Sequence, residues 1–220
     1  MEKVEIFGGL RSSYTRGVCM VCEEKGIDYT LVETLLGAPA LFAIHPLGKM
    51  PVLRHGSVEL FESKAIATYL DRRFGGPKLI PAELELEALT EQWVSFVNTV
   101  VDPILVRSYL LAYAAPKRSD GKPDRQTIDA VLPAVRAQLR VLDDAVAATG
   151  HLVGAQFTLA DLNLLPILHY MRQLPEAAAA LAPTTALGRY FEQHAARPSF
   201  VRTIPPAGPP RRAEAANTGP

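Results

Sequence analysis

The hydrophobic pattern of this chain changes near residue 76, and that change limits the possible folds more than any other feature. Before it, alternating strand patterns and helical spacing follow one another in the order strand, helix, strand, then strand, strand, helix. After the Gly- and Pro-punctuated stretch GGPKLIPAE, the spacing is helical throughout. The sequence therefore predicts an α/β domain at residues 1–76, a linker at 77–86 and an all-α domain at 87–203.

The individual elements follow from local patterns. In the first domain we expect strands within 3–8, 28–34 and 50–61, the last being a pair that turns at His55-Gly56, and helices at 14–25, within 39–46 and at 64–74. In the second domain we expect helices at Glu83–Leu111, marked or kinked by Pro103, and at 124–148, 159–173 and 187–194. Residues 204–220 are proline-rich and polar, which predicts a disordered tail.

Composition narrows the class of protein. The 220 residues carry 23 basic and 23 acidic side chains, so no electrostatic footprint predicts binding to nucleic acid or to an anionic membrane. No uninterrupted apolar run approaches the roughly 18 residues of a spanning helix, and the opening MEKVEIFGGL does not resemble a secretory signal. Two cysteines do not make a disulfide framework, and the expected location is a reducing cytoplasm.

The two cysteines form a C-x-x-C pattern at Cys19 and Cys22. A reactive pair belongs at a helix N-terminus, where unpaired N–H groups lower the thiol pKa. Here both residues lie at least a turn inside the first predicted helix, and Cys22 shares its apolar face with Val18. We interpret them as buried small apolar residues. A dithiol oxidoreductase that uses this pair is the alternative.

Serines occupy the start of that helix instead. Ser12 and Ser13 follow the first strand, where a hydroxyl usually serves as an N-cap. Neither belongs to a G-x-S-x-G elbow, and the nearest histidine, His45, has no triad spacing to either serine. Without a base, such a hydroxyl is a poor nucleophile but a good hydrogen-bond donor to an anion that arrives with a ligand.

A proline at the start of a strand supplies a second candidate. Pro51 in GKMPVL either punctuates an edge strand or forms a cis bond that shapes a turn. In the cis case, the N–H and C=O of Met50 would be exposed to pair with an extended, peptide-like ligand.

Glu62 and Ser63 stand where a strand pattern becomes helical. Ser63 alone would serve as an N-cap, and Glu62 would then be an incidental surface charge. The alternative is a ligand site, in which Ser63 and the first-turn N–H groups bind a carboxylate while Glu62 binds an ammonium group. Together they suit an α-amino-acid head. The three stretches would then bind a ligand with an amino-acid end, a peptide middle and a reactive anion.

In combination these stretches resemble a soluble glutathione transferase over residues 1–203. FGGLRSSYTRGV is similar to the serine-type active-site segment of the phi-like and theta-like classes, S-x-x-T-R-x-V, with Ser12 at the serine. GKMPVL is similar to the cis-proline segment of the family, and FESKAIATYL to its E-S-x-A-I motif. FTLADLNLLPIL is similar to its buried capping box, here formed by Thr158 and Asp161.

The resemblance implies a thioredoxin-like α/β domain followed by an all-α helical bundle, and an enzyme that conjugates glutathione to a small hydrophobic electrophile. Ser12 would stabilise the thiolate, with Ser13 as the alternative after a one-residue slip. Met50, before Pro51, would bind the cysteinyl backbone, Glu62 and Ser63 the γ-glutamyl head, and Lys49 is the candidate for the glycyl carboxylate. Glutathione is the co-substrate, no metal is expected, and a two-fold homodimer is implied.

Some features depart from the family or remain open. The stretch LLGAPALFAIHP lacks the His-Lys pair that phi-like members use on the glycyl end. Leu10, Arg11, Tyr109 and Tyr113 are candidates for the acceptor pocket, although the tyrosines could equally pack the long helices. The same resemblance leaves open a glutathione-dependent isomerase, peroxidase or dehalogenase, or a ligand carrier without catalysis.

Overall fold

The computed structural model describes residues 2–114 and 121–207 and divides them into two compact units. The first comprises the chain up to Pro77 together with the residues from Pro198 onward, and the second is Lys78–Arg197. Of the predicted tail at 204–220, residues 208–220 lie outside the described residues, and residues 204–207 have no regular secondary structure.

The first unit contains each of the α/β elements that the sequence predicts. They are β1 (Val4–Gly8), α1 (Ser13–Lys25), β2 (Tyr29–Glu33), α2 (Pro39–Phe42), β3 (Val52–His55), β4 (Val58–Phe61) and α3 (Ser63–Arg73). The strands form one mixed sheet in the order β2-β1-β3-β4. β2 is parallel to β1, whereas β3 is antiparallel to both β1 and β4.

Helix α1 has the buried face and the stop signal that its sequence predicts. Val18, Val21 and Cys22 are fully buried. Gly26 ends the helix in the left-handed conformation (φ 63°), which glycine adopts without steric cost. The next amide, that of Ile27, donates to the Cys22 carbonyl at 2.9 Å. The helix therefore stops where the chain must turn into β2.

A buried ion pair joins the end of α1 to α3. Lys25 Nζ lies 3.0 Å from Asp71 Oδ1, and both side chains are almost entirely buried. The same ammonium group donates to the Pro77 carbonyl at 2.9 Å. Because a buried charge is tolerated only when it is paired and hydrogen-bonded, these contacts fix how α1 and α3 pack.

A further short helix, α10 (Pro198–Arg202), belongs to the first unit. The sequence predicts instead that these residues belong to the all-α domain. Arg16 in α1 is fully buried and stacks over the Phe200 ring at 4.2 Å. Its guanidinium also donates to the Phe200 carbonyl and to Thr203 Oγ1. Because the partners are 184 and 187 residues away, local patterns could not reveal this contact.

The second unit is helical, as predicted. It contains α4 (Leu84–Phe96), a π-helical segment (Val97–Leu110), α5 (Leu111–Ala114), α6 (Arg125–Val146), α7 (Leu159–Met171), α8 (Pro175–Ala178), a 3₁₀ turn (Ala179–Leu181) and α9 (Ala186–Ala195). The sequence missed α8 and the 3₁₀ turn, which are too short to show a periodicity. The predicted helix at Glu83–Leu111 is continuous to Ala114, but its backbone takes π geometry around Pro103, which lacks an N–H for the usual bond.

The 31-residue stretch Leu84–Ala114 is long and apolar enough to span a membrane. Core helices of soluble proteins meet the same two criteria of length and composition. Asp102, Pro103 and Arg107 interrupt its apolar residues. Asp102 is buried and accepts a bond from Arg107 Nε at 2.9 Å. The stretch is therefore weak evidence for a membrane protein.

Candidate active site

Three predicted segments meet at one end of the sheet. The register pairs Phe7 of β1 with Val52 of β3, and Val52 with Phe61 of β4. Because β3 runs antiparallel to both neighbours, the residues after β1, before β3 and after β4 lie at the same end of three adjacent strands. Those residues include Ser12, the Met50-Pro51 pair and the Glu62-Ser63 pair. The fold thus brings together residues that the sequence spreads over about fifty positions.

Ser12 is the N-cap of α1. Its backbone is extended (φ −75°, ψ 121°), and its Oγ accepts a hydrogen bond from the Thr15 amide at 3.3 Å. The Ser12 amide in turn donates to the Gly9 carbonyl at 2.9 Å, which closes the turn after β1. Because the capping bond uses only a lone pair of Oγ, the hydroxyl proton can be donated to a ligand. The cap and the ligand donor are therefore compatible roles for one side chain.

Ser13 has a different environment. It is the first residue of α1 and is only 8% exposed, whereas Ser12 is half-buried. The geometry favours Ser12 as the accessible hydroxyl of the pair.

A close approach between β1 and α1 sets the position of this turn, and sequence reasoning missed it. A Cβ on Gly8 would lie 2.6 Å from Thr15 Oγ1, so the end of β1 can pack against the first turn of α1 only with glycine at this position. Thr15 itself is fully buried. The Gly8-Gly9 pair at the end of the strand was the available signal.

The peptide bond between Met50 and Pro51 is cis, which resolves the alternative left open by the sequence. Met50 is half-buried and packs against the apolar cluster of Phe7, Leu41 and Val52. Its neighbour Lys49 is exposed. The Met50 side chain thus anchors this segment to the sheet, while the lysine ammonium remains accessible to solvent.

At the start of α3, the structure corrects the assignment of the cap by one residue. Glu62, not Ser63, is the N-cap, and Ser63 is the first helical residue. The Glu62 side chain makes no capping bond and is 71% exposed. Among the described residues it is the one non-glycine residue with a positive φ (66°). Such a conformation costs of order 1–3 kcal/mol and is retained mainly at functional sites.

The pocket candidates have other partners. Arg11 is exposed and donates from Nη2 to the Pro206 carbonyl at 2.8 Å, and Leu10 beside it is half-buried. In the helical unit, the hydroxyls of Tyr109 and Tyr113 donate to Glu176 Oε2 at 2.8 and 2.6 Å. Tyr109 has no exposed surface. The packing alternative therefore describes Tyr109 better than a pocket role.

The Glu176 cluster is a charged, fully hydrogen-bonded group. Arg125 Nη1 binds Glu176 Oε1 at 2.5 Å. Burial by itself raises the pKa of Glu176, but the bonds from Tyr113, Arg125 and Tyr109 outweigh it and lower that pKa to about 2. Burial and the Glu176 carboxylate raise the pKa of Tyr109. The phenol and the carboxylate thus keep their ordinary protonation states at neutral pH.

The cysteines are buried, as interpreted from the sequence. Cys19 and Cys22 are both 0% exposed. Burial raises the pKa of Cys19 to about 12 and that of Cys22 well above the ordinary value. A thiol with so high a pKa is a weak nucleophile at neutral pH, which argues against the dithiol alternative.

Among residues 2–114 and 121–207, no group of three or more His, Cys, Asp or Glu side chains is arranged to hold a metal ion.

Comparison with known proteins identifies the family. Residues 7–78 match the model of the glutathione S-transferase N-terminal domain, and residues 101–198 match that of its C-terminal domain. Glutathione S-transferase 3 of Zea mays is 30% identical over 220 residues, which cover 93% of this chain and 94% of the relative. Glutathione S-transferase F12 of Arabidopsis thaliana is 24% identical over 93% of this chain and 99% of its own length. The chain belongs to the glutathione S-transferase family.

Solved structures agree with this assignment. Glutathione transferase F7 from Populus trichocarpa superposes with a TM-score of 0.82 at 25% identity, covering 91% of this chain and 97% of its own. The theta class glutathione S-transferase from Xanthomonas axonopodis pv. citri, solved with glutathione bound, has a TM-score of 0.78 at 25% identity and covers 94% and 99%. The predictions of a glutathione transferase, with a thioredoxin-like domain and an all-α helical domain, are confirmed.

Proposed function

We propose that this glutathione transferase binds glutathione across the β1, β3 and β4 end of its sheet, and that Ser12 stabilises the thiolate for attack on a small hydrophobic electrophile. The spacing of the site supports this proposal. Ser12 follows β1 and Glu62 follows β4, which are two strand positions apart. Two inter-strand spacings amount to about 9.5 Å, and an extended tripeptide spans about 10 Å. An extended tripeptide therefore has about the length needed to span the ends of these three strands.

Each end of the tripeptide has a matching group. Glu62 is an exposed carboxylate suited to the γ-glutamyl ammonium, and the first-turn amides of α3 with Ser63 suit its carboxylate. The backbone of Met50, next to the cis bond to Pro51, would pair with the cysteinyl residue. The exposed Lys49 is the candidate for the glycyl carboxylate.

The chemistry requires a donor rather than a base. A free thiol of pKa about 8.5 is only about 3% ionised at pH 7. A charge-assisted hydrogen bond of about 1.5–3 kcal/mol lowers that pKa by about one to two units, which leaves roughly a quarter to three quarters of the bound thiol ionised. The thiol proton passes to solvent, the sulfur lone pair forms a C–S bond, and the leaving group departs from the electrophilic carbon with its electron pair.

The experiment compares Ser12→Ala with the matched control Ser13→Ala. With glutathione and a chloronitroaromatic substrate, Ser12→Ala should lower kcat at pH 7 by about 8-fold to 25-fold, because the ionised fraction of the bound thiol should fall from roughly a quarter to three quarters to about 3%. Glutathione affinity should change little, the ultraviolet thiolate signal of bound glutathione should fall, and Ser13→Ala should retain activity. The reverse pattern would transfer the role to Ser13.

Two alternatives remain distinguishable in the same assay. Turnover of a peroxide, a haloalkane or an isomerisable substrate, without conjugation, would indicate another glutathione-dependent reaction at this site. Glutathione binding without turnover of any electrophile in the unaltered protein would indicate a ligand carrier.

We further propose a cytoplasmic homodimer that serves in detoxification. Exposed apolar side chains support a partner surface on each unit: Leu36, Phe42 and Leu47 on the first, and Leu84, Leu89 and Val100 on the second. The first unit also has an open cleft of about 630 Å³ along β4 and α3, lined by Leu60, Ala65 and Tyr69 among others. Exposed apolar side chains that form a contiguous patch are typical of interfaces. A monomeric mass by light scattering would contradict the dimer.

A further inference from the structure

His45 lies beside the proposed glutathione site but has no role in the mechanism above. It stands between α2 and the Met50-Pro51 bond and is only 5% exposed. Its Nδ1 accepts a hydrogen bond from the Leu47 amide at 2.9 Å. A backbone amide can only donate, so Nδ1 carries no proton while this bond exists. The ring proton must then be on Nε2.

That Nε2 atom is near the Glu62 carboxylate. It lies 3.8 Å from Glu62 Oε1. The imidazole is held by burial, by the Leu47 amide and by the Phe61 ring, whose centroid is 5.0 Å away. The Glu62 side chain, by contrast, is 71% exposed and makes no capping bond to α3. A rigid donor therefore faces a carboxylate that has little else to orient it.

We propose that His45 is a positioning residue for glutathione: its Nε2–H orients the Glu62 carboxylate for the α-ammonium group of the γ-glutamyl end. The inference rests on the proposed function of Glu62. When the ammonium group binds one oxygen of the Glu62 carboxylate, the second oxygen approaches Nε2. That oxygen then accepts a hydrogen bond from Nε2–H.

The tautomer makes this arrangement useful. A neutral imidazole donates to the carboxylate without cancelling its charge, so Glu62 keeps its full attraction for the ammonium group. A lysine or arginine in the same place would instead compete with the ligand as a cation. The restriction on Glu62 also reduces the side-chain entropy lost when glutathione binds.

Two substitutions separate the two ring nitrogens. Asn places an amide oxygen near the Nδ1 position, so His45→Asn keeps an acceptor for the Leu47 amide and loses the donor to Glu62. Gln places its amide nitrogen near the Nε2 position, so His45→Gln keeps the donor to Glu62. The pair therefore distinguishes support of the loop from positioning of the carboxylate.

The experiment measures kcat, KM for glutathione and thermal unfolding of the full chain for His45→Asn, His45→Gln, Glu62→Gln and the double variant that combines His45→Asn with Glu62→Gln. We expect His45→Asn to raise KM by about three- to tenfold at unchanged kcat and Tm, because a hydrogen bond to a largely exposed carboxylate is worth about one kcal/mol. In His45→Gln, which keeps a donor to Glu62, KM for glutathione should stay near that of the unaltered protein. In the Glu62→Gln background, the effect of His45→Asn should disappear.

A glutathione analogue that lacks the α-amino group provides the decisive comparison. Its KM should not respond to His45→Asn, since no ammonium group meets Glu62. An equal rise for both ligands, an unchanged KM for glutathione, or loss of folding in His45→Asn would each overturn the positioning role. If Glu62→Gln itself leaves KM unchanged, the proposed role of Glu62 fails and this inference fails with it. If Glu62→Gln raises KM and His45→Asn does not, only the inference fails.

Discussion

Helices α7 and α3 begin in opposite ways. At α7, Thr158 and Asp161 form a capping box, and Asp161 also accepts bonds from the Leu152 amide and the Tyr190 hydroxyl. Asp161 is fully buried. At α3, the N-cap Glu62 is exposed, makes no capping bond and has a positive φ. The chain thus caps the start of α7 with its own side chains, whereas the start of α3 has no side-chain cap and carries an unfavourable φ.

The largest change in stability is expected when the capping box at the start of α7 is broken. Asp161→Ala leaves four donors without their carboxylate: the amides of Leu152 and Thr158 and the hydroxyls of Thr158 and Tyr190. Buried donors without partners cost about 1–3 kcal/mol each, so we expect a loss of about 3 kcal/mol or more in the free energy of unfolding. The Tm should fall by roughly 6–12 °C for a chain of this size. Calorimetry measures both.

Thr158→Ser is the matched control for that variant, because it keeps the hydroxyl that accepts from the Ala160 amide. It should change the Tm by much less than Asp161→Ala. A loss below about 1 kcal/mol in Asp161→Ala would mean that water replaces the carboxylate, and the contrast between the two helix starts would then not hold.

A smaller change in stability, in the opposite direction, is expected at the start of α3. Glu62→Gly removes the Cβ that makes a φ of 66° unfavourable, so it should stabilise the protein by about 1 kcal/mol. The same change deletes the proposed ammonium ligand and should weaken glutathione binding. Unfolding in urea and isothermal titration with glutathione measure the two effects.

Glu62→Gln is the control that separates strain from charge. It keeps the Cβ and removes the charge, so binding should weaken without a gain in stability. Equal stability of the Gly and Gln variants would show that Glu62 carries no backbone strain. The start of α3 would then not cost stability, in contrast to what we expect.

The two helix starts also differ in how much the sequence revealed. The capping box at Thr158 and Asp161 was predictable because both partners lie within four residues and satisfy each other locally. The layout of strands and helices in the first unit was predictable for the same reason, since hydrophobic period and glycine stops are local signals.

The rest depends on contacts between distant parts of the chain. The positive φ of Glu62 and the choice of Glu62 as cap have no signal in FESKAI, because Ser63 is the better capping residue by type. The burial of Arg16 against Phe200, the approach of Thr15 to Gly8 and the bonds from Tyr109 and Tyr113 to Glu176 are tertiary. The sequence therefore proposed the residues that the fold brings to one end of the sheet, but not the backbone conformation that holds them.

The smallest effect is expected in how the free energy of unfolding depends on pH, through His194 near α7. His194 is buried near α7, its Nε2 is 2.9 Å from the Gly150 carbonyl, and its ring lies 5.0 Å from that of His151. Burial lowers the pKa of His194 below its ordinary value of 6.5, and His151 and Arg197 lower it further, although the Gly150 carbonyl and Asp161 oppose the shift. The unfolded chain therefore takes up the proton at a higher pH than the folded protein.

Stability should accordingly be intact above pH 6.5 and should fall as the pH is lowered through that value, which urea unfolding between about pH 8 and pH 5.5 would measure. His194→Gln keeps a side-chain amide for the Gly150 carbonyl but cannot titrate, so its unfolding free energy should vary less over the same range. A pH dependence that is identical in both proteins would assign it to other groups.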